Sequence, residues 1–64
     1  MSALTVAADD LRRDDVIVAD RGEFTVDRVI RDMEKRLVYT TGADGECGYF
    51  RVDADSTCTV RRQS

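Results

Sequence analysis

Apolar residues recur at every second position through most of this chain, in short runs separated by polar turn residues. The runs are Val16–Asp20, Phe24–Arg31, Leu37–Thr41, Tyr49–Val52 and Thr57–Arg62. Alternation with a two-residue period, carried by Val, Ile, Thr, Tyr and Phe, predicts strands with one buried face. Five strands fill almost the whole of residues 11–62, which predicts an all-β fold: a five-stranded small barrel in a single domain. The segment 1–10 has a weaker alternation at Leu4 and Val6 and reads as a tail or a short edge strand. Ala8 to Arg13 can form one helical turn with Asp9 or Asp10 as its N-cap, and Leu11 would then plug the bottom of the barrel.

The second run breaks the rule informatively. Phe24 and Val26 share one parity and Val29 has the other, so a regular strand cannot bury all three. A bulge or bend near Asp27-Arg28 restores the match. In the fourth run Phe50 shares parity with Val52, which makes Phe50 the core residue and puts Tyr49 on the outer face with Arg51. Leu37–Thr41 reads as buried on both faces.

The turns have their own chemistry. Asp20-Arg21-Gly22-Glu23 is a short loop in which Gly22 is free to take positive φ. Asp32 to Arg36 is a polar hairpin loop. Asp44-Gly45 suits a primed hairpin turn. Asp53-Ala54-Asp55-Ser56 predicts a 3-10 turn before the last strand.

Composition narrows the class. A 64-residue chain makes one domain of modest stability, since it buries only about 60% of its unfolded surface. Charged residues are 36% and the net charge is −3. No apolar run approaches the ~20 residues of a membrane span. Met1-Ser-Ala-Leu-Thr-Val lacks the basic start and apolar core of a signal peptide, so the chain reads as cytoplasmic. In that reducing setting Cys47 and Cys58 are expected as free thiols, with Cys58 a small core residue and Cys47 partly exposed at the end of a Gly-rich turn.

The basic residues are nine Arg and one Lys, and Asp outnumbers Glu ten to three. A GC-rich coding genome explains that bias, although Arg also serves forked contacts to phosphate or carboxylate. The chain has no His. Acid–base or nucleophilic work would therefore fall to carboxylates, Tyr or an unpartnered Cys. The carboxylate pairs Asp9/Asp10, Asp14/Asp15 and Asp53/Asp55 read as turn and cap residues rather than as a cation site or a dyad. Gly42, Gly45 and Gly48 lack the spacing of a phosphate-cradling loop. The expectation is a non-enzymatic protein with no cofactor, no metal and no small-molecule substrate.

The order of strand, long bent strand, hairpin, strand, hairpin, strand, short turn and strand resembles the SH3-like small barrel over roughly Leu11 to Arg62. Leu11-Arg12-Arg13-Asp14-Asp15-Val16 resembles the Leu-x-x-Gly-Asp-x-Val opening of KOW-like barrels, with Asp14 standing where those carry Gly. The Arg/Asp-rich style and the Gly-Glu-Phe-Thr-Val and Gly-Tyr-Phe-Arg-Val segments resemble small actinobacterial and bacteriophage proteins. That resemblance implies a phage accessory protein in the host cytoplasm and supplies no activity.

The candidate partner-binding residues are Tyr49, Arg51, Arg28, Arg31, Arg61 and Arg62. Arg28, Arg31, Lys35 and Arg36 cluster around one hairpin, and Arg61 and Arg62 form a second cluster near the C-terminus. Six acidic residues, Asp9, Asp10, Asp14, Asp15, Asp20 and Glu23, form the opposite pole. The leading expectation is an interaction module that binds a partner protein or a second copy of itself through a sheet edge or the Tyr49/Arg51 face. The alternative is a nucleic-acid-binding barrel that uses an arginine face and Tyr49.

Overall fold

A computed structural model describes residues 3–62. It holds six strands, β1 (Ala3–Ala7), β2 (Val16–Ala19), β3 (Gly22–Asp32), β4 (Lys35–Gly42), β5 (Cys47–Asp53) and β6 (Thr57–Arg61), with one 3-10 turn at Ala8–Asp10. They form a single antiparallel sheet in the order β1-β6-β2-β3-β4-β5, so β1 and β5 are its two edges. A flat sheet is far thinner than the 21 Å smallest extent of this molecule, so the sheet curls around its inner face.

The parity argument holds in the structure. The β3–β4 register shifts between Val26 and Arg28, which leaves Asp27 as the extra residue. Val26 and Val29 thereby both reach the core side, opposite Thr40 and Val38. The core is Ala8, Leu11, Ile17, Val26, Val38 and Val60, with Val6, Phe24, Val29, Phe50, Val52 and Cys58 packed against it. Leu11 is buried, as expected of a plug. The three side chains with no exposed surface are all valines, so this core is narrow.

Five expectations are corrected. The sheet has six strands, not five: of the two readings of the segment before Leu11 the short edge strand is the one that forms, β1, in register with β6 from Ala3–Arg61 to Ala7–Thr57; Met1 and Ser2 lie outside the described residues. The 3-10 turn lies at Ala8–Asp10 with Ala7 as its N-cap, and neither Asp9 nor Asp10 caps it. Residues 53–56 make a simple turn, closed by Ser56 N–H donating to the Asp53 carbonyl at 3.0 Å. That segment is held from outside: Ala8 N–H donates to Ser56 O and Asp9 N–H to Ala54 O. The Asp44-Gly45 hairpin is a three-residue loop, with Gly42 N–H bonded to Glu46 O and Gly45 alone at positive φ, 84°. A left-handed glycine at its third position suits such a loop. The Asp32–Arg36 segment is no loop: β3 and β4 run on to a two-residue turn at Met33-Glu34.

Among the described residues, two that are not glycine hold left-handed backbone, Asp14 at φ 74° and Met33 at φ 55°. Asp14 sits in a turn closed by two backbone bonds: Asp14 N–H bonds Val26 O at 2.8 Å and Asp15 N–H bonds Arg12 O at 3.1 Å. Asp tolerates this region through its short polar side chain, whereas Met has no such relief. Met33 is also 93% exposed, so its side chain contributes little packing. Met33→Gly is therefore expected to stabilise the fold by about 0.5–1 kcal/mol, and Asp14→Gly by less. Urea unfolding of both variants checks the order, and a loss of stability in Met33→Gly would refute the strain argument.

Candidate functional site: the outer face of β3, β4 and β5

Three strands place one row of side chains across the outer face. In register, Arg28 on β3 lies beside Tyr39 on β4, and Tyr39 lies beside Tyr49 on β5. The Arg28 guanidinium carbon sits 5.0 Å from the Tyr39 ring centroid, within cation–π range. The two tyrosine rings are 5.6 Å apart and tilted by 31°. The next row is Ile30, Leu37 and Arg51. Tyr49 is 67% exposed and Arg51 is exposed, while Phe50 between them packs on the core, as parity required. Arg51 reaches Asp32 at 3.4 Å.

The face is bounded by an ion pair at one end and a hydroxyl–carboxylate bond at the other. Lys35 pairs with Asp53 at one end. At the other, Thr41 Oγ1 donates to Asp27 Oδ2 at 2.7 Å, and Cys47 lies in register with Thr41. Cys47 is an exposed free thiol. Cys58, also free, is half-buried against the core; burial, and then the nearby charge of Asp15, push its thiol pKa up.

The six candidate residues do not gather in one place. Arg28, Tyr49 and Arg51 share the outer face. Arg31 is exposed but lies in register with Arg36, on the opposite parity from Ile30. Arg61 ends β6 and Arg62 follows it, and three strands separate β6 from β5 in the sheet order. Both are engaged there: Arg61 pairs with Glu23, and Arg62 donates to Asp15 Oδ1 at 2.9 Å, to Asp15 Oδ2 at 3.1 Å and to the Asp10 carbonyl at 2.8 Å.

Arg36 also leaves the basic cluster. It shares parity with Val38 and Thr40, is buried, and donates to Asp9 Oδ1 at 2.8 Å and to the carbonyls of Met33 and Lys35. Half of the acidic pole is thus engaged within the molecule, with Asp9, Asp15 and Glu23 each holding an arginine and only Asp15 buried. Asp15 is 3% exposed. Burial alone would raise its pKa, but hydrogen bonds from Arg62 and from the Arg12 N–H, with the charges of both arginines, hold it below the usual carboxylate value. These pairs join distant parts of the chain and read as architecture.

Sequence reasoning missed Tyr39, Leu37 and Ile30 as members of the face. Their signal was available: each has the parity opposite to Val38 or Val29, the residues that fill the core. Among the described residues, no group of three or more Cys, Asp or Glu side chains is placed to hold a metal ion, and no helix is long and apolar enough to cross a membrane. The concavities near the face are open depressions, one lined by Asp32, Met33, Glu34, Lys35 and Arg51.

Comparison with protein-family models, with curated proteins and with solved structures gives no match to this chain.

Proposed function

We propose that the chain is a non-enzymatic interaction module of SH3-like barrel type, and that it binds a partner protein through the outer face of β3, β4 and β5. The barrel reading is supported by the order β6-β2-β3-β4-β5, by the long bulged β3 and by the short turn before β6. One observation carries the functional reading: Tyr49 is left 67% exposed beside Tyr39 and Arg28, with Leu37 and Ile30 adjoining. Tyr and Arg are the residues that most often dominate protein interfaces, because each offers a large rigid or forked contact at low entropic cost. The fold gains little from leaving them in water.

The nucleic-acid alternative is less well served. Of its arginines, Arg51, Arg61 and Arg62 already face carboxylates, and the net charge is −3. Arg28→Glu tests the proposal, since it reverses a charge in the row without touching the core. Proteins captured by the native chain should be lost from Arg28→Glu and from Tyr49→Ser, with both variants folded by circular dichroism. An unchanged captured set would overturn the reading. Salt-dependent binding of a short DNA or RNA by the native chain, lost in Arg28→Glu, would move it to the alternative.

A further inference from the structure

We infer that β5 is a self-pairing edge, and that two copies of this chain join β5 to β5 in antiparallel register about a two-fold axis at Phe50. The direction of the free hydrogen-bonding groups follows from the hairpin. Gly42 N–H bonds Glu46 O, so the amides of alternate residues on β4 face β5, and the partners Gly48, Phe50 and Val52 face β4. Ala54 N–H bonding Glu34 O continues that phase. Cys47, Tyr49 and Arg51 therefore direct both N–H and C=O away from the sheet, and Asp53 directs its N–H there, its carbonyl being taken by Ser56. None of these edge groups has a backbone partner among the described residues.

Several of the usual protections are missing from the edge, although Arg51 and Asp53 give it charge. The chain has no Pro, the β4–β5 ladder runs without a bulge from Lys35–Asp53 to Thr41–Cys47, and no helix among the described residues covers it. A strand of this kind is a template for pairing, and a second copy is the partner that fits it. Phe50 is the midpoint of Cys47–Asp53, so an axis there pairs every residue of the strand. It sets Tyr49 opposite Arg51 of the second copy, twice, and Cys47 opposite Asp53. About six inter-chain hydrogen bonds form in this register. An axis at Arg51 would oppose two arginines, and an axis at Tyr49 or Gly48 would leave Asp53 unpaired. Length selects Phe50, and charge excludes Arg51.

The consequence for the outer face is geometric. The row Arg28, Tyr39, Tyr49 continues across the axis into Arg51, Leu37 and Ile30 of the second copy, and its symmetry mate runs alongside. Two half-faces become one surface. The inference rests on the edge and stands apart from the proposed partner: Arg28→Glu, two strands from the axis, is expected to stay dimeric.

Light scattering and sedimentation over a concentration series test the assembly. The native chain should be a closed dimer. Tyr49→Lys puts an ammonium opposite Arg51 at two places and should raise the dissociation constant by about tenfold or more, while the exposed position leaves the fold intact. Adding Arg51→Glu should restore the dimer, because the introduced ammonium then faces the introduced carboxylate at both places. A cysteine trap fixes the register. Asp53→Cys places two thiols opposite native Cys47 at a Cα separation of about 5.5 Å, so mild oxidation should give a covalent dimer. The native chain should not cross-link, since its two Cys47 lie about 20 Å apart along the strands, and Asp53→Cys with Cys47→Ser should not either. A monomer at every concentration, an open-ended polymer, indifference to Tyr49→Lys or an untrapped Asp53→Cys each overturns the inference.

Discussion

Replacing Asp15 with Ala is expected to remove about 2–3 kcal/mol of stability and to lower the thermal midpoint by roughly 10–20 °C. Asp15 sits at 3% exposure immediately before β2 and accepts three hydrogen bonds, two from Arg62 and one from the Arg12 N–H at 2.9 Å. It ties residue 62 to the turn that opens the sheet, 47 positions away. Removing it leaves the Arg12 amide and a partly buried guanidinium without their acceptor. Solvent reaches part of Arg62, which keeps the expected loss below that of a fully buried pair. For a chain whose total stability is on the order of 3–10 kcal/mol, that is a large fraction.

The same pair predicts a pH dependence. The folded carboxyl of Asp15 titrates below its unfolded value. Its contribution is therefore full above the unfolded pKa of about 4 and fades as pH falls through the lower folded value. Asp15→Asn keeps the shape and removes the charge. Native chain and variant should differ at neutral pH and converge in acid, as read by urea midpoints at several pH values. A gap that persists unchanged at low pH would show that shape, not charge, carries the contribution.

How far the sequence speaks depends on the range of the interaction. The strands were legible because alternation is local, and so was the bulge, since Phe24, Val26 and Val29 cannot share a face without it. The division of labour between Phe50 and Tyr49 followed from parity alone. The sixth strand was legible only as one of two readings, a tail or a short edge strand: Ala3–Ala7 is small and weakly patterned, and β6 decides the matter by offering it an edge. The Met33-Glu34 turn was hidden because nothing local recommends Met for a left-handed position. The ion pairs were the least legible part. Arg62 and Asp15, or Arg61 and Glu23, meet only once the sheet has formed, and a count of charges treats all of them as available to a partner. Arg36 belongs with them: it read as part of a basic hairpin loop, and only the extension of β4 back to Lys35 gives it the inward parity of Val38.

Val38→Ala is expected to cost about 2–3 kcal/mol, a loss comparable to that of Asp15→Ala but with a different signature. Val38 has no exposed surface and lies mid-way along β4, in register with Val29 on one side and Phe50 on the other. The deletion removes two methyl groups from a core whose largest fully buried side chains are all valines. Neighbours fixed in ladders on both sides cannot close the gap cheaply. The urea midpoint should fall with little change in the slope of the transition, and the loss should be the same at neutral and acid pH, because no charge is involved. Val18→Ala is the control: Val18 lies on β2 at 38% exposure and should change stability by less than about 0.5 kcal/mol. If the two valines cost the same, Val38 does not sit in a tightly packed interior, and the curled sheet does not enclose the core described above. If they separate as expected, the inner face holds the fold together and the outer row of Arg28, Tyr39 and Tyr49 is left free for binding.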